Sequence, residues 1–329
     1  MKSRFLAAMR GALFLHLAVA AAPGIVQAQP DYPAKTVRAV LPYSVGSGPD
    51  AVVRQVGEKL AREWGRPVVI ENKPGANGWL AVGDVKRASA DGYTLLTVDA
   101  THMTLQPQLY KQLPYDPIKD FEPVAPLYTT QFFVVVSADS PLNNVSELIS
   151  AAKAKSGLTY GTWGIGSVAH VGTAMLEAAT GVSMTHVPFK DLQQLYMAVA
   201  AGDVGWAFGT AATVRQLYQA KKVKLLAYAG SSRLAGYEHV PTVSEAGGPT
   251  GFELGTWVAL YAPKGIPKAT VDRISSGIAK ALVEPEVRER FAAFGFDAWI
   301  GGPTEVGKAA QADAKRYADV VKRANITLD

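Results

Sequence analysis

The sequence predicts an α/β protein built as two similar lobes, each a mostly parallel sheet flanked by helices. Three observations carry this. Apolar runs at residues 37–41 and 158–161 read as strands, and each passes through a glycine loop into a helical pattern. Each of those helices stops at a glycine, Gly65 and Gly181. A second strand, a helix and a third strand then follow in both halves, with strands at 68–71 and 93–98 and again at 182–187 and 204–208. A β-α-β-α-β unit that occurs twice in one chain predicts two lobes.

The first glycine loop is Tyr43-Ser44-Val45-Gly46-Ser47-Gly48-Pro49-Asp50, and its helix runs from about Pro49 to Trp64. The second is Thr162-Trp163-Gly164-Ile165-Gly166, with Ser167 as N-cap of a helix over residues 168–180. Both spell G-x-G-x-x-A, as Gly46-x-Gly48-x-x-Ala51 and Gly164-x-Gly166-x-x-Ala169. A helix start leaves backbone N–H groups unbonded and carries the positive end of the helix dipole. Small residues let an anion approach those donors. Two readings follow: an anion cradle, or glycines that only permit a tight strand-to-helix connection. Ligands of open α/β sheets sit beyond the carboxyl ends of strands, so two facing lobes bring both loops to one cleft.

The chain has 329 residues, 48% of them hydrophobic, which suits two globular domains. Residues 1–28 read as a secretory signal peptide: Lys2, Arg4 and Arg10 without an acid, a short apolar stretch, and Val26-Gln27-Ala28 as a cleavage site. That leader holds three of the 33 basic residues and none of the 28 acidic ones, so the remainder carries 30 against 28. The apparent basicity is mostly leader, and no basic run points to nucleic acid. The absence of cysteine excludes thiol catalysis and cysteine metal sites. The histidines 102, 170, 186 and 239 form no metal-ligand spacing, so neither metal nor cofactor is expected.

Further along, residues 79–88 predict a short helix before the third strand. Asp99, Thr101 and His102 then lie past that strand's carboxyl end. Residues 103–127 carry five prolines and read as a wrapping connection. Residues 132–136 read as a buried strand and the first crossing into lobe two. A helix follows at 145–154, then the second repeated unit, and a strand at 223–228. Residues 254–261 read as the return crossing, which predicts hinges near 127–133 and 251–257. Helical periodicity covers 268–294 and 304–324, with a short strand at 297–300 between them. The domain reading is 1–28 leader, 29–127 plus 254–329 lobe 1, and 128–253 lobe 2.

Several stretches together resemble the Bug-type periplasmic solute-binding receptors of tripartite tricarboxylate transporters. They include Tyr32-Pro33-Ala34-Lys35, the Pro42 to Asp50 loop, Val69-Ile70-Glu71-Asn72-Lys73-Pro74-Gly75-Ala76 and Asp91-Gly92-Tyr93-Thr94-Leu95-Leu96. The Tyr160 to His170 loop, His186-Val187-Pro188-Phe189-Lys190 and Pro241-Thr242-Val243-Ser244-Glu245-Ala246-Gly247 add to them. The resemblance implies a periplasmic-binding-protein (Venus flytrap) fold, a monomer that closes on a small carboxylate and delivers it to membrane permease subunits. It implies ligand contacts from Tyr43, Ser44, Gly46, Ser47, Gly48 and Asp50 in one lobe and Thr162, Trp163, Gly166, Ser167 and His170 in the other. Thr101 and Asp191 join the candidates from neighbouring loops.

The first loop departs from the Pro-Gly-Gly usual in the family, and Pro49 has no N–H to donate. Ser44 and Ser47 hydroxyls are candidate substitutes. Asp50 is expected to cap its helix, because two carboxylates repel. Trp163 offers a stacking face in place of a small residue, or packs as a lid on lobe two. Asp191 stands where glycine is usual, either capping the next helix or receiving a ligand amine or hydroxyl. These changes point to a bulky carboxylate, aromatic or nitrogen-bearing. The rival class is a dinucleotide-binding oxidoreductase, because Gly46-x-Gly48-x-x-Ala51 with Glu71 imitates that fingerprint. Pro49 and the twin loop argue against it. A ligand-binding partner of a membrane sensor is a third reading.

Overall fold

The computed structural model describes residues 32–154 and 157–324. The predicted leader lies outside the described residues. Among the described residues, no helix is long and apolar enough to cross a membrane.

Two sheets organise the chain. The first contains β1 (Val37–Leu41), β2 (Val68–Asn72), β3 (Thr94–Asp99), β4 (Phe121–Gln131), β10 (Gly255–Pro263) and β11 (Asp297–Ala298) in the order β11-β4-β10-β3-β1-β2. The second contains β5 (Phe133–Ser137), β6 (Thr159–Thr162), β7 (Thr185–Pro188), β8 (Trp206–Gly209) and β9 (Val223–Tyr228) in the order β7-β6-β8-β5-β9. The repeat read from the sequence is present in both. β2-β1-β3 and β7-β6-β8 are parallel triplets in the same spatial order. Each triplet is flanked at its third strand by an antiparallel strand that enters from the other lobe, β10 beside β3 and β5 beside β8.

Helices cover the faces, so β1 is buried on both sides and is apolar at every position but Arg38. Val37 and Leu41 enter one core with α1 (Gly48–Trp64) and α8 (Lys268–Val283), and Val40 enters the opposite one with α2 (Trp79–Lys86). In lobe 2, α4 (Val145–Lys153) and α5 (Val168–Thr180) share a core on one face, and α6 (Leu192–Ala201) and α7 (Ala211–Gln219) share the other. Between β3 and β4 a π-helical turn, Thr101–Leu105, runs into the short α3 (Gln106–Leu109). The helical run expected over 268–294 is broken: α9 (Pro285–Ala293) starts anew at Pro285, where the ring suits a helix's first turn. α10 (Pro303–Ala324) closes the fold.

The wrapping connection expected over 103–127 is wrong in its last third, because Phe121–Gln131 is an eleven-residue strand. Its prolines hid it. The register against β10 slips twice, between Val258 and Ala259 and between Leu260 and Tyr261, beside Pro126 and Pro123. Bulges are where a strand tolerates a residue with no N–H to give the ladder.

The chain crosses between sheets at Phe132 and Leu254. Phe132 N–H donates to Leu254 O (3.1 Å), Leu254 N–H to Ala229 O (2.9 Å) and Ala229 N–H to Phe132 O (2.8 Å). The two crossings are thus tied to each other and to the end of β9. α5 leans on this knot. A Cβ at Gly172 would overlap Leu254, with Cδ1 at 2.7 Å and Cγ at 3.1 Å. On its other side, Val171 of α5 shares an apolar cluster with Tyr317, Val320 and Val321 of α10 and with Leu105 and Leu109. α10 therefore spans both lobes. The Gly172→Val variant overfills this contact and is expected to cost about 1–3 kcal/mol, read as a lower denaturant midpoint at unchanged slope. An unchanged midpoint would show that α5 does not bear on the crossing.

Candidate functional site

The two glycine loops have the same local construction. In the first, Ser47 is the N-cap of α1 (φ −67°, ψ 161°), and in the second Ser167 is the N-cap of α5 (φ −69°, ψ 159°). Ser47 N–H donates to Ser44 O and Ser167 N–H to Gly164 O, both at 3.2 Å. The cap oxygens accept from the third helical residue: Asp50 N–H to Ser47 Oγ (3.4 Å) and His170 N–H to Ser167 Oγ (3.3 Å). That third residue then reaches back. Asp50 Oδ2 accepts from Gly46 N–H (2.9 Å), and His170 Nδ1 accepts from Gly166 N–H (3.1 Å). Gly46 and Gly166 both have positive φ, 79° and 75°, which a side chain rarely adopts.

This corrects the alignment read from the sequence. G-x-G against G-x-G sets Gly48 beside Gly166. The structure sets Gly46 beside Gly166, and Gly48 beside Val168 at the first helical position. The two loops share backbone geometry, not the G-x-G spelling. Gly48, Val168 and Ala169 N–H have no hydrogen-bond partner among the described residues. Pro49, at the position of Ala169, contributes no donor, so the first loop offers one helix-start amide and the second offers two.

Asp50 is 2% exposed and both its oxygens are occupied. Arg54 Nε bonds Oδ2 (3.0 Å), Arg54 Nη2 pairs with Oδ1 (2.9 Å), and Asn72 Nδ2 donates to Oδ1 (2.8 Å) and to Tyr43 O (2.9 Å). Burial alone would raise its pKa, but Arg54, Gly46 N–H and Asn72 outweigh it and hold the carboxyl below the usual range. Asp50 is therefore a brace for the loop. The cap itself is Ser47. Ser44 is exposed on the loop, and Tyr43 OH donates to Asp99 Oδ2 (3.2 Å). Asp99 Oδ1 accepts from Thr101 N–H (2.9 Å) and sits 3.0 Å from His102 Nδ1. Thr101 thus acts on Asp99 through both its hydroxyl and its backbone N–H. Burial works to raise the Asp99 pKa, but His102 and Thr101 hold it low.

In lobe 2, His186 ends up beside the second loop. It stacks on His170 with centroids 4.4 Å apart and bonds Thr162 Oγ1 through Nε2 at 2.7 Å. Thr162 also holds Gly164 at its carbonyl (3.0 Å) and its N–H (3.2 Å). Burial lowers the pKa of His170, and burial with His170 alongside lowers that of His186 to about 4. Both rings are neutral near pH 7, and His170 Nδ1, as acceptor, leaves the hydrogen on Nε2. Trp163 gives one ring face to Phe132 at the first crossing (5.8 Å, 26° between planes). Asp191 caps α6, with Oδ1 accepting from Gln193 and Gln194 N–H at 2.8 and 3.0 Å. Glu71, the acid of the dinucleotide-like fingerprint, pairs with Arg38 at 2.5 Å.

Arg54, Asn72 and His186 were not singled out from the sequence. His186 reaches Thr162 only because β6 and β7 pair in parallel, Tyr160 with His186. A contact across 24 residues leaves no local pattern.

Two mixed sheets joined by two crossings, each with a parallel triplet and antiparallel strands where a mostly parallel sheet was expected, and matched helix-start loops at the triplets' strand ends, define a two-lobe ligand-binding protein. The chain is similar to Rpa4515 of R. palustris, solved with adipate (TM-score 0.84, 28% identity, 90% of this chain and 99% of that one). It is similar to MatC of Rhodopseudomonas palustris with bound malate (TM-score 0.78, 30% identity, 88% and 100%). Protein BugT of Bordetella pertussis is 28% identical over 299 residues, 90% of this chain and 91% of that protein. The family model described as "Tripartite tricarboxylate transporter family receptor" matches residues 52–326. The chain belongs to this family of periplasmic solute-binding receptors.

The histidine pair sets an acid sensitivity. Its pKa values are depressed in the folded state, so the unfolded chain takes up protons first as pH falls. Stability is full above about pH 6.5 and declines toward about pH 4, the folded value of His186. A His186→Asn variant should lose less of its thermal midpoint than the parent between about pH 7.5 and about pH 4.5. Equal losses would contradict this.

Proposed function

We propose that this receptor holds one carboxylate of a small ligand between Gly48 N–H of lobe 1 and Val168 and Ala169 N–H of lobe 2, and that closure of the lobes brings these donors together. The observation that carries the reading is the matched pair of braced N-cap loops, one in each lobe, at the carboxyl ends of parallel strands. Ser44, Ser47, Ser167 and the His170 ring edge supply further hydrogen bonds. Tyr43, Thr101, Thr162, Trp163 and Asp191 position the walls around them. The adipate and malate found with two relatives support a carboxylate as the ligand class.

Contacts from both lobes exist together only in the closed form, so ligand shifts the population toward it. Hinge motion is assigned to Phe132 and Leu254, within the crossings at 127–133 and 251–257. The loaded receptor then hands its ligand to membrane permease subunits of a tripartite transporter. Residues 1–28 direct export, with cleavage after Ala28, and the mature receptor works as a monomer without catalysis. Ser167 supports this last point, because its hydroxyl caps a helix while the His170 ring nitrogen is occupied by Gly166 N–H, so no oriented nucleophile and base result.

Thermal-shift measurement against di-, tri- and aromatic carboxylates tests the reading. At least one should raise the midpoint by linkage and be recovered unchanged by proton NMR. A panel that leaves the midpoint flat, or a ligand consumed during incubation, would overturn it. The Ala169→Pro variant copies the Pro49 geometry of the first loop and deletes one donor. It should weaken carboxylate binding about tenfold, or about 1.4 kcal/mol, as measured by calorimetry.

A further inference from the structure

The rims of both sheets carry exposed aliphatic side chains at matching places. Val45 precedes Gly46 and is 73% exposed, and Ile165 precedes Gly166 and is 49% exposed. Because Gly46 and Gly166 are equivalent, Val45 and Ile165 are equivalent too. The next parallel strand repeats the pattern. Leu80, the second residue of α2 after β2, is 55% exposed, and Leu192, the first residue of α6 after β7, is 38% exposed. Each lobe thus shows two uncovered aliphatic groups beyond the carboxyl ends of its first two parallel strands. Scattered exposed apolar residues need no explanation, but four at repeated positions around a proposed ligand cleft do.

The charges on the same loops are few. The segments after β1 and β6 contain no lysine or arginine. The segment after β2 contains Lys73, held by Asp84 at 3.1 Å. Arg54 is committed to Asp50 and Asn72. Lys190, after β7, is exposed and adjacent to Asp191. Such a rim has few uncommitted cations, and exposed aliphatic surface that a hydrocarbon body can desolvate.

We infer that the receptor selects carboxylates with an apolar body, alkyl or aryl, clasped between Val45 and Leu80 of one lobe and Ile165 and Leu192 of the other, over polyhydroxylated carboxylates of the same size and charge. This rests on the carboxylate reading above and names its substrate class.

Calorimetry on the purified protein with three matched pairs tests the inference: hexanoate against gluconate, adipate against galactarate, and benzoate against quinate. The hydrocarbon member of at least one pair should bind about tenfold or more tightly than its hydroxylated partner. A Val45→Ser, Ile165→Ser double variant should lose that preference while keeping its melting profile, since both side chains are exposed. The inference is overturned if, in every pair that binds, the hydroxylated member binds as well as its partner, or if the double variant keeps the full preference. If none of the six binds, the inference falls, while the carboxylate reading is decided separately by the thermal-shift panel.

Discussion

Two hydrogen bonds from glycine amides hold the candidate site together. Gly46 N–H is bound by Asp50, and Gly166 N–H by His170. Each bond folds a loop back on the first turn of its helix, beside the helix-start amides that have no partner among the described residues. A donor set preorganised in this way loses little entropy when an anion arrives. It also attracts an anion without a lysine or arginine in either loop, by helix-start amides and the dipole behind them. The two lobes meet the same geometric need with different chemistry. Asp50 is a charged brace that requires Arg54 and Asn72 to keep it buried, whereas His170 is a neutral brace kept so by burial, and it stacks on His186.

The second loop is also connected to the two crossings between the sheets. α5 begins at the loop, bears on Leu254 at Gly172, and packs through Val171 against α10. Trp163, within the loop, stacks on Phe132 at the other crossing. Phe132 and Leu254 are hydrogen-bonded to one another. A rearrangement at the loop is thus one packed layer from both crossings. Interfaces of this kind have discrete packings and pass small shifts on as rigid-body motion.

Much of the fold was legible because it is local. α5 could be bounded at residues 168 and 180 from the sequence, since Ser167 caps its start and Gly181 takes the left-handed position after its end. The duplicated unit was legible for the same reason, as a repeated order of strand, glycine and helix. β4 was not, because Pro123 and Pro126 look like strand breakers and only pairing with β10 shows that bulges absorb them. The twin loops were found but misaligned. Glycine spelling drew the eye to Gly48, while backbone geometry depends on which glycine has positive φ, and Gly48 is helical. The contact of His186 with Thr162 and the stack of Trp163 on Phe132 are tertiary, and no periodicity encodes them.

The most direct measurement is a two-dimensional amide NMR titration of the labelled protein with its tightest carboxylate. Gly48, Val168 and Ala169 signals should shift downfield together and saturate on one isotherm, since one carboxylate engages both lobes at once. Movement of only one loop, or saturation of the two at different concentrations, would contradict a shared grip.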